Sequence, residues 1–178
     1  MNKAEQMYEY CIDNNFGKGI SKKWAIKHFD IIGKNLMQNE QVLMCFCGLH
    51  NYLSISKHDG YFAYAITDKR IMISQKKIIG EKFQSISLKN VNDVTFSSGV
   101  MMGIITVDTF KEKFNVSVDK KAGSSINSYI HDILFDNKKD TGKGINDIDS
   151  LIDYKKLLDS GVINQEEFDL KKKQLLNL

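Results

Sequence analysis

Cysteine and histidine are the residues of this chain best suited to bind a metal ion or act as nucleophiles. Cys45 and Cys47 are separated by one residue within an apolar run, and His50 follows shortly after. On a strand, both thiols would project from the same face and could contact one ion. A zinc site needs about four ligands, however, and the sequence offers no second pair. Buried core packing explains these cysteines better than a metal site or a Cys–His catalytic pair. We therefore predict no cofactor.

The densest polar cluster in the apolar part of the chain is Thr67-Asp68-Lys69-Arg70. One interpretation is structural: a turn in which Asp68 accepts backbone N–H bonds and Arg70 pairs with an acidic neighbour. The other is an anion site built on Lys69 and Arg70. Both interpretations remain open from the sequence.

Composition and motifs narrow the function. The net charge is +3 and Arg70 is the only arginine, which argues against nucleic acid as a partner. No phosphate-binding loop, dinucleotide-binding glycine motif or nucleophile elbow is present, and we predict that the protein is not an enzyme. No apolar run reaches the ~18 residues of a membrane helix. The first ten residues also lack the apolar core of a signal peptide, so we expect a cytoplasmic protein with reduced cysteines.

Seven short strands are predicted between residues 42 and 119. The central two, 61–66 and 70–75, are rich in β-branched and aromatic residues and flank the turn just described. Closely spaced strands with short connections favour an antiparallel barrel or sandwich. Helical periodicity predicts a helix over 3–14, a second one beginning after Ser21 and ending at Gly33, and a third one after the last strand. The fold class is therefore α+β.

The C-terminal part of the chain differs in composition from the strand-rich region before it. Residues 137–146 are polar and show no period, as expected of a linker. Residues 147–178 predict a helical hairpin, with Asn164 and Glu167 forming a capping box at the start of its second helix. About thirty residues bury too little surface to fold alone. The hairpin must therefore dock on its own domain, on another copy or on another protein.

Two resemblances fit these elements. Residues 36–136 resemble bacterial pleckstrin-homology (PH-like) domains of the YokE-like kind, through NEQVLMCFCG (39–48), GYFAYAITDKRIMIS (60–74) and FQSISLKNVNDV (83–94). Residues 147–178 resemble SHOCT modules, short C-terminal helical hairpins, through LIDYKKLLDSGVINQEEFDLKKKQLL (151–176). The first 35 residues fall outside both resemblances and form a separate N-terminal helical segment.

The resemblances imply a seven-stranded antiparallel PH-like β-barrel capped by a helix, then a linker and an α-hairpin. They also imply a non-enzymatic binding module that forms homo-oligomers or binds another protein. The hairpin residues expected to make these contacts are Leu151, Tyr154, Leu158, Val162, Ile163, Phe168 and Leu175.

Two alternative functions remain. The first is a peripheral binder of anionic lipid, because lipid-binding PH domains hold headgroups near their first hairpin loop. Lys57 lies in that loop here, and Lys57, Lys69 and Arg70 are the candidate residues for such a site. The second is an effector encoded by a phage or prophage that binds and inhibits a host protein.

Overall fold

The computed structural model describes residues 1–17, 19–100, 102–136, 154–156, 158 and 163–176. The chain divides into two compact units, residues 1–133 and residues 134–178. Each unit is described by itself. Among the described helices, none combines the length and apolar character needed to cross a bilayer.

One curled antiparallel sheet of seven strands forms the centre of the first unit. The strands are β1 Val42–His50, β2 Tyr61–Thr67, β3 Arg70–Lys76, β4 Glu81–Ser87, β5 Val91–Ser98, β6 Met102–Thr109 and β7 Lys113–Asp119. Their spatial order is β4-β3-β2-β1-β7-β6-β5. The predicted seven-stranded antiparallel fold is confirmed. The sheet is a half-barrel, since β4 and β5 are its two edges and no ladder joins them.

Strands β1, β2 and β3 are buried on both faces, which explains why their sequences are apolar at nearly every position. One face carries mostly small residues, such as Cys45, Ala63 and Ala65, beneath the N-terminal helices. The opposite face carries large ones. There the rings of Phe46 and Tyr64 stack with centroids 4.7 Å apart. Small side chains on the first face let the helices approach the strands closely.

Two N-terminal helices cover that first face. Helix α1 spans Lys3–Asp13, and helix α2 spans Lys22–Asn35. The side chain of Asn2 caps α1 in a capping box, and Ser21 Oγ accepts a bond from the Trp24 N–H at the start of α2. The predicted end of α2 at Gly33 is wrong, because the helix continues two residues further.

Helix α3, Lys120–His131, confirms the helix predicted after the last strand. Asp119 caps it by accepting bonds from the N–H groups of Lys121 and Ala122. The helix packs against β5, β6 and β7, with Ile126 and Ile130 fully buried. A 3-10 turn, Leu88–Asn90, joins β4 to β5, and a π-helical turn, Asp132–Asp136, follows α3.

In the second unit, helix α4 spans Gln165–Leu176. The predicted capping box is confirmed, since Glu167 N–H donates to Asn164 Oδ1 while Asn164 N–H donates to Glu167 Oε2, both at 2.9 Å. Residues 154–156 and 158 are also helical. The predicted linker, residues 137–146, lies outside the described residues.

Candidate docking surface

The cysteines form a buried cluster beneath α1. Cys11 Sγ lies 3.8 Å from Cys45 Sγ, and the Cys45 thiol donates to the Met7 carbonyl. Burial raises the pKa of the Cys47 thiol well above its ordinary value. In the described part of the chain, no three His, Cys, Asp or Glu side chains are arranged to hold a metal ion. The three buried thiols fill the space between helix and sheet.

His50 belongs to a different, aromatic cluster on the opposite face of the sheet. Its Nδ1 lies 2.7 Å from the Tyr64 hydroxyl oxygen, and its ring centroid is 4.6 Å from that of Phe62 and 5.4 Å from that of Phe114. Burial lowers the pKa of His50 below its usual value. The ring is therefore neutral at pH 7 and packs as an aromatic side chain with one polar partner.

Arg70 forms a buried ion pair that ties the sheet to the segment after α2. Its Nε and Nη2 donate to the two carboxylate oxygens of Glu40, each at 2.8 Å. Nη2 also donates to the Asn35 carbonyl, and the Thr67 hydroxyl donates to Glu40. The hydrogen bonds from Arg70 lower the pKa of Glu40 to about 2. The guanidinium is thus engaged on its Nε–Nη2 edge by a protein carboxylate.

The other two candidate anion-binding residues, Lys57 and Lys69, are both exposed. Lys57 precedes β2 and Lys69 follows it, so they lie at opposite ends of a seven-residue strand, roughly 20 Å apart at ~3.3 Å per residue. The structure does not bring Lys57 together with Lys69 and Arg70. Binding of an anion by any one of them stays a prediction.

The predicted contact residues of the hairpin are described in part. Tyr154, Leu158, Ile163 and Phe168 are each half-buried. Lys155 Nζ lies 5.9 Å from the centroid of the Phe168 ring, and Lys171 Nζ lies 5.7 Å from that of Tyr154. These cation–ring contacts link the two helical segments. Leu151 and Val162 lie outside the described residues, and of Leu175 only the backbone is described.

One surface was missed from the sequence: the turn between β3 and β4. Ile78 and Ile79 stand at its tip, 104% and 90% exposed. Lys76 and Lys77 precede them, and Gly80 closes the turn with a φ of +79°. The available signal was the run Lys-Lys-Ile-Ile-Gly, because two large aliphatic residues are unusual at a turn whose neighbours are charged.

A curled seven-stranded antiparallel sheet with a helix after its last strand is the architecture of a pleckstrin-homology-like domain. The family model for bacterial PH domains matches residues 36–132, more than half of the chain. This chain therefore belongs to the bacterial PH domain family. The model of the short C-terminal domain, SHOCT, matches residues 149–176. No curated protein matches the chain.

Solved structures with a similar backbone include the N-terminal PH domain of Vps36, which is 17% identical in sequence and has a TM-score of 0.46. The match covers 58% of this chain and 86% of that one. They also include a DUF1696-family protein with a pleckstrin-homology domain from Shewanella loihica PV-4, which is 14% identical and has a TM-score of 0.42. That match covers 60% of this chain and 89% of that one.

Proposed function

We propose that this protein is a non-enzymatic binding module whose C-terminal hairpin associates with a second copy of the chain or with another protein. PH and SHOCT domains are non-catalytic module types, and together they indicate a protein- or lipid-interaction module. The sheet unit then serves as the docking surface, and the hairpin brings chains together.

The observation that carries the proposal is the incomplete burial of the apolar residues of the hairpin. Leu158 and Ile163 are only half-buried, and so are the side chains of Tyr154 and Phe168. Two short helices cannot cover such residues with their own surface, since units below about 40 residues usually need outside support. Covering the remaining apolar surface with a partner supplies that support, at roughly 25 cal/mol for each Å² removed from water.

Light scattering tests the proposal. The full chain should have the mass of an oligomer, and deletion of residues 147–178 should reduce it to that of a monomer. Leu158→Ser and Phe168→Ser should weaken association, while Glu166→Ser, a change of an exposed residue on α4, should leave the mass unchanged. A full chain that is monomeric at all concentrations, or an oligomer that survives the deletion, would contradict self-association through the hairpin.

A further inference from the structure

All three cysteines of the chain meet at one place, where α1 packs on β1. Cys11 lies on α1, Cys45 and Cys47 lie on β1, and each is a buried, free thiol. Cys11 Sγ is 3.8 Å from Cys45 Sγ, which is van der Waals contact between two sulfur atoms, and 3.4 Å from the Cys45 carbonyl oxygen. Two thiols that are 34 residues apart in the sequence are therefore direct neighbours in the fold.

Backbone hydrogen bonds hold α1 and β1 in register around this contact. The Phe16 N–H donates to the Cys11 carbonyl at 2.8 Å, and the Phe16 carbonyl accepts from the Cys47 N–H at 3.1 Å. On the other side, the Cys45 thiol donates to the Met7 carbonyl at 3.2 Å. Because helix and strand are tied on both sides of the sulfur contact, the two sulfur atoms stay neighbours in the folded protein.

Geometry selects which two thiols can form a disulfide. An S–S bond is about 2.05 Å long, so the sulfur atoms of Cys11 and Cys45 must approach by roughly 1.8 Å. Cys45 and Cys47 are two residues apart on one strand, where side chains project in parallel from Cα atoms ~6.6 Å apart. That separation is near the upper limit that a disulfide spans. The pair that can bond is therefore Cys11 with Cys45.

A groove leads from the surface to this pair. It has a volume of about 440 Å³ and lies between α1, which contributes Met7 and Tyr10 to its wall, and the start of β1, which contributes Val42 and Cys45. A hydroperoxide as small as hydrogen peroxide is only slightly larger than water. Such an oxidant can therefore reach the thiols without unfolding of the helix.

The three thiols differ in how readily they ionise. Hydrogen bonding to the Cys45 and Cys47 thiols lowers the pKa of the Cys11 thiol below its ordinary value. Hydrogen bonding to Cys11 and burial raise the pKa of Cys45 above its ordinary value. Because the thiolate is the nucleophilic form of cysteine, Cys11 is the thiol expected to react first with an oxidant.

We infer that Cys11 and Cys45 form a peroxide-sensitive dithiol that closes to a disulfide and staples α1 to β1. The Cys11 thiolate attacks one oxygen of hydrogen peroxide, so that an S–O bond forms, the O–O bond breaks, and the released hydroxide takes up the thiol proton and leaves as water. The Cys45 thiol then attacks the Cys11 sulfur. An S–S bond forms, the S–O bond breaks, and the Cys45 proton leaves with the hydroxide as a second water. Two thiols are oxidised while one peroxide is reduced to two waters.

The disulfide changes the constraint on the N-terminal helices. It closes a loop that contains the whole of α2, Lys22–Asn35, and a covalent link of this kind stabilises the folded chain by restricting the unfolded one. In a reducing compartment such a bond is transient and follows the supply of oxidant. The inference is independent of the role proposed for the hairpin, which contains no cysteine.

Treatment of the full chain with hydrogen peroxide at pH 7 tests the inference. The number of thiols that react with N-ethylmaleimide after denaturation should fall from three to one, and the mass before blocking should fall by about 2 Da, for the two hydrogens lost. Dithiothreitol should restore all three thiols. Cys11→Ser and Cys45→Ser should form no disulfide, whereas Cys47→Ser, the matched control, should form it like the unchanged chain.

A second comparison uses the unchanged chain alone and so does not depend on how the variants fold. Disulfide formation should be at least about tenfold faster in the folded chain than in urea, because the fold holds the two thiols in contact. The oxidised chain should also unfold at a higher urea concentration than the reduced one, and Cys11→Ser should show no such difference.

Four results would overturn the inference. They are retention of three thiols while a cysteine peptide in the same solution is oxidised, a disulfide that involves Cys47 or joins two chains, equal rates in the folded and urea-unfolded chain, and an unfolding midpoint that oxidation leaves unchanged.

Discussion

Replacing Arg70 by alanine should destabilise the sheet unit more than any nearby surface change. In the native protein, 13% of the Arg70 side chain and none of the Glu40 side chain is exposed. Removing the guanidinium leaves the Glu40 carboxylate buried, and among the described residues its remaining donors are the Met37 N–H and the Thr67 hydroxyl. Breaking a buried pair in this way typically costs about 3–5 kcal/mol.

The pKa of Glu40 gives a second measure of the same interaction. Hydrogen bonds from Arg70 are the largest cause that lowers this pKa from 4.5 to about 2. The difference of roughly 2.5 pH units corresponds to about 3 kcal/mol of stability, at ~1.4 kcal/mol per unit. Because the pKa of the folded state is the lower one, this stability is fully present above pH 4.5 and is lost as the pH falls toward 2. This value from the pKa of Glu40 agrees in magnitude with the typical cost of breaking a buried ion pair.

Urea denaturation at pH 7 measures the effect. Arg70→Ala should lower the free energy of unfolding by about 3–5 kcal/mol, and adding Glu40→Gln should recover part of that loss because the amide carries no charge. Lys69→Ala, next to Arg70 but exposed, should change stability by about 0.5 kcal/mol or less. A cost below about 1 kcal/mol for Arg70→Ala would refute the view that Arg70 acts as the structural counter-ion of Glu40.

Two further predictions follow from packing and burial. Gly48→Ala should destabilise the sheet by about 1–3 kcal/mol in urea denaturation, because a Cβ there would lie 2.8 Å from the Ser117 carbonyl oxygen; an unchanged unfolding midpoint would contradict this. His50, whose pKa burial lowers, should titrate below its usual 6.5 in an NMR experiment. Stability should therefore fall as the pH drops below 6.5, and replacing His50 by asparagine should flatten that part of the profile.

The sheet was predictable because its strands carry local signals. The turn after Thr67 and the strands on either side of it follow from residue types alone. The sequence also indicated that Arg70 pairs with an acid, but not which one. Glu40 lies 30 residues earlier, and only the pairing of β3 in the assembled sheet brings the two together. Long-range partners of this kind depend on topology, which periodicity does not encode.

The extent of α2 and the exposed tip show the limits of local rules. Gly33 has the conformational freedom to end a helix, yet α2 continues through it to Asn35, and Phe29 and Ile32 of the same helix are completely buried. Packing of the helix against the sheet therefore outweighs the local stop signal. Ile78 and Ile79 are a second case in which residue type misleads, here about burial. Their residue types predict burial, but the short β3–β4 connection holds them outside the sheet.

The N-terminal helices belong to the folded sheet unit although they precede the residues that the bacterial PH model matches. Phe29 and Ile32 of α2 are completely buried, and Met72 of β3 is completely buried in the same cluster. The Ser74 hydroxyl of β3 donates to the His28 carbonyl at 2.8 Å, which fixes α2 on the strand. A chain beginning at residue 36 would expose this face of β1–β3 to water, at a cost of ~1.5–3 kcal/mol for each large side chain uncovered. The folded sheet unit therefore includes both N-terminal helices.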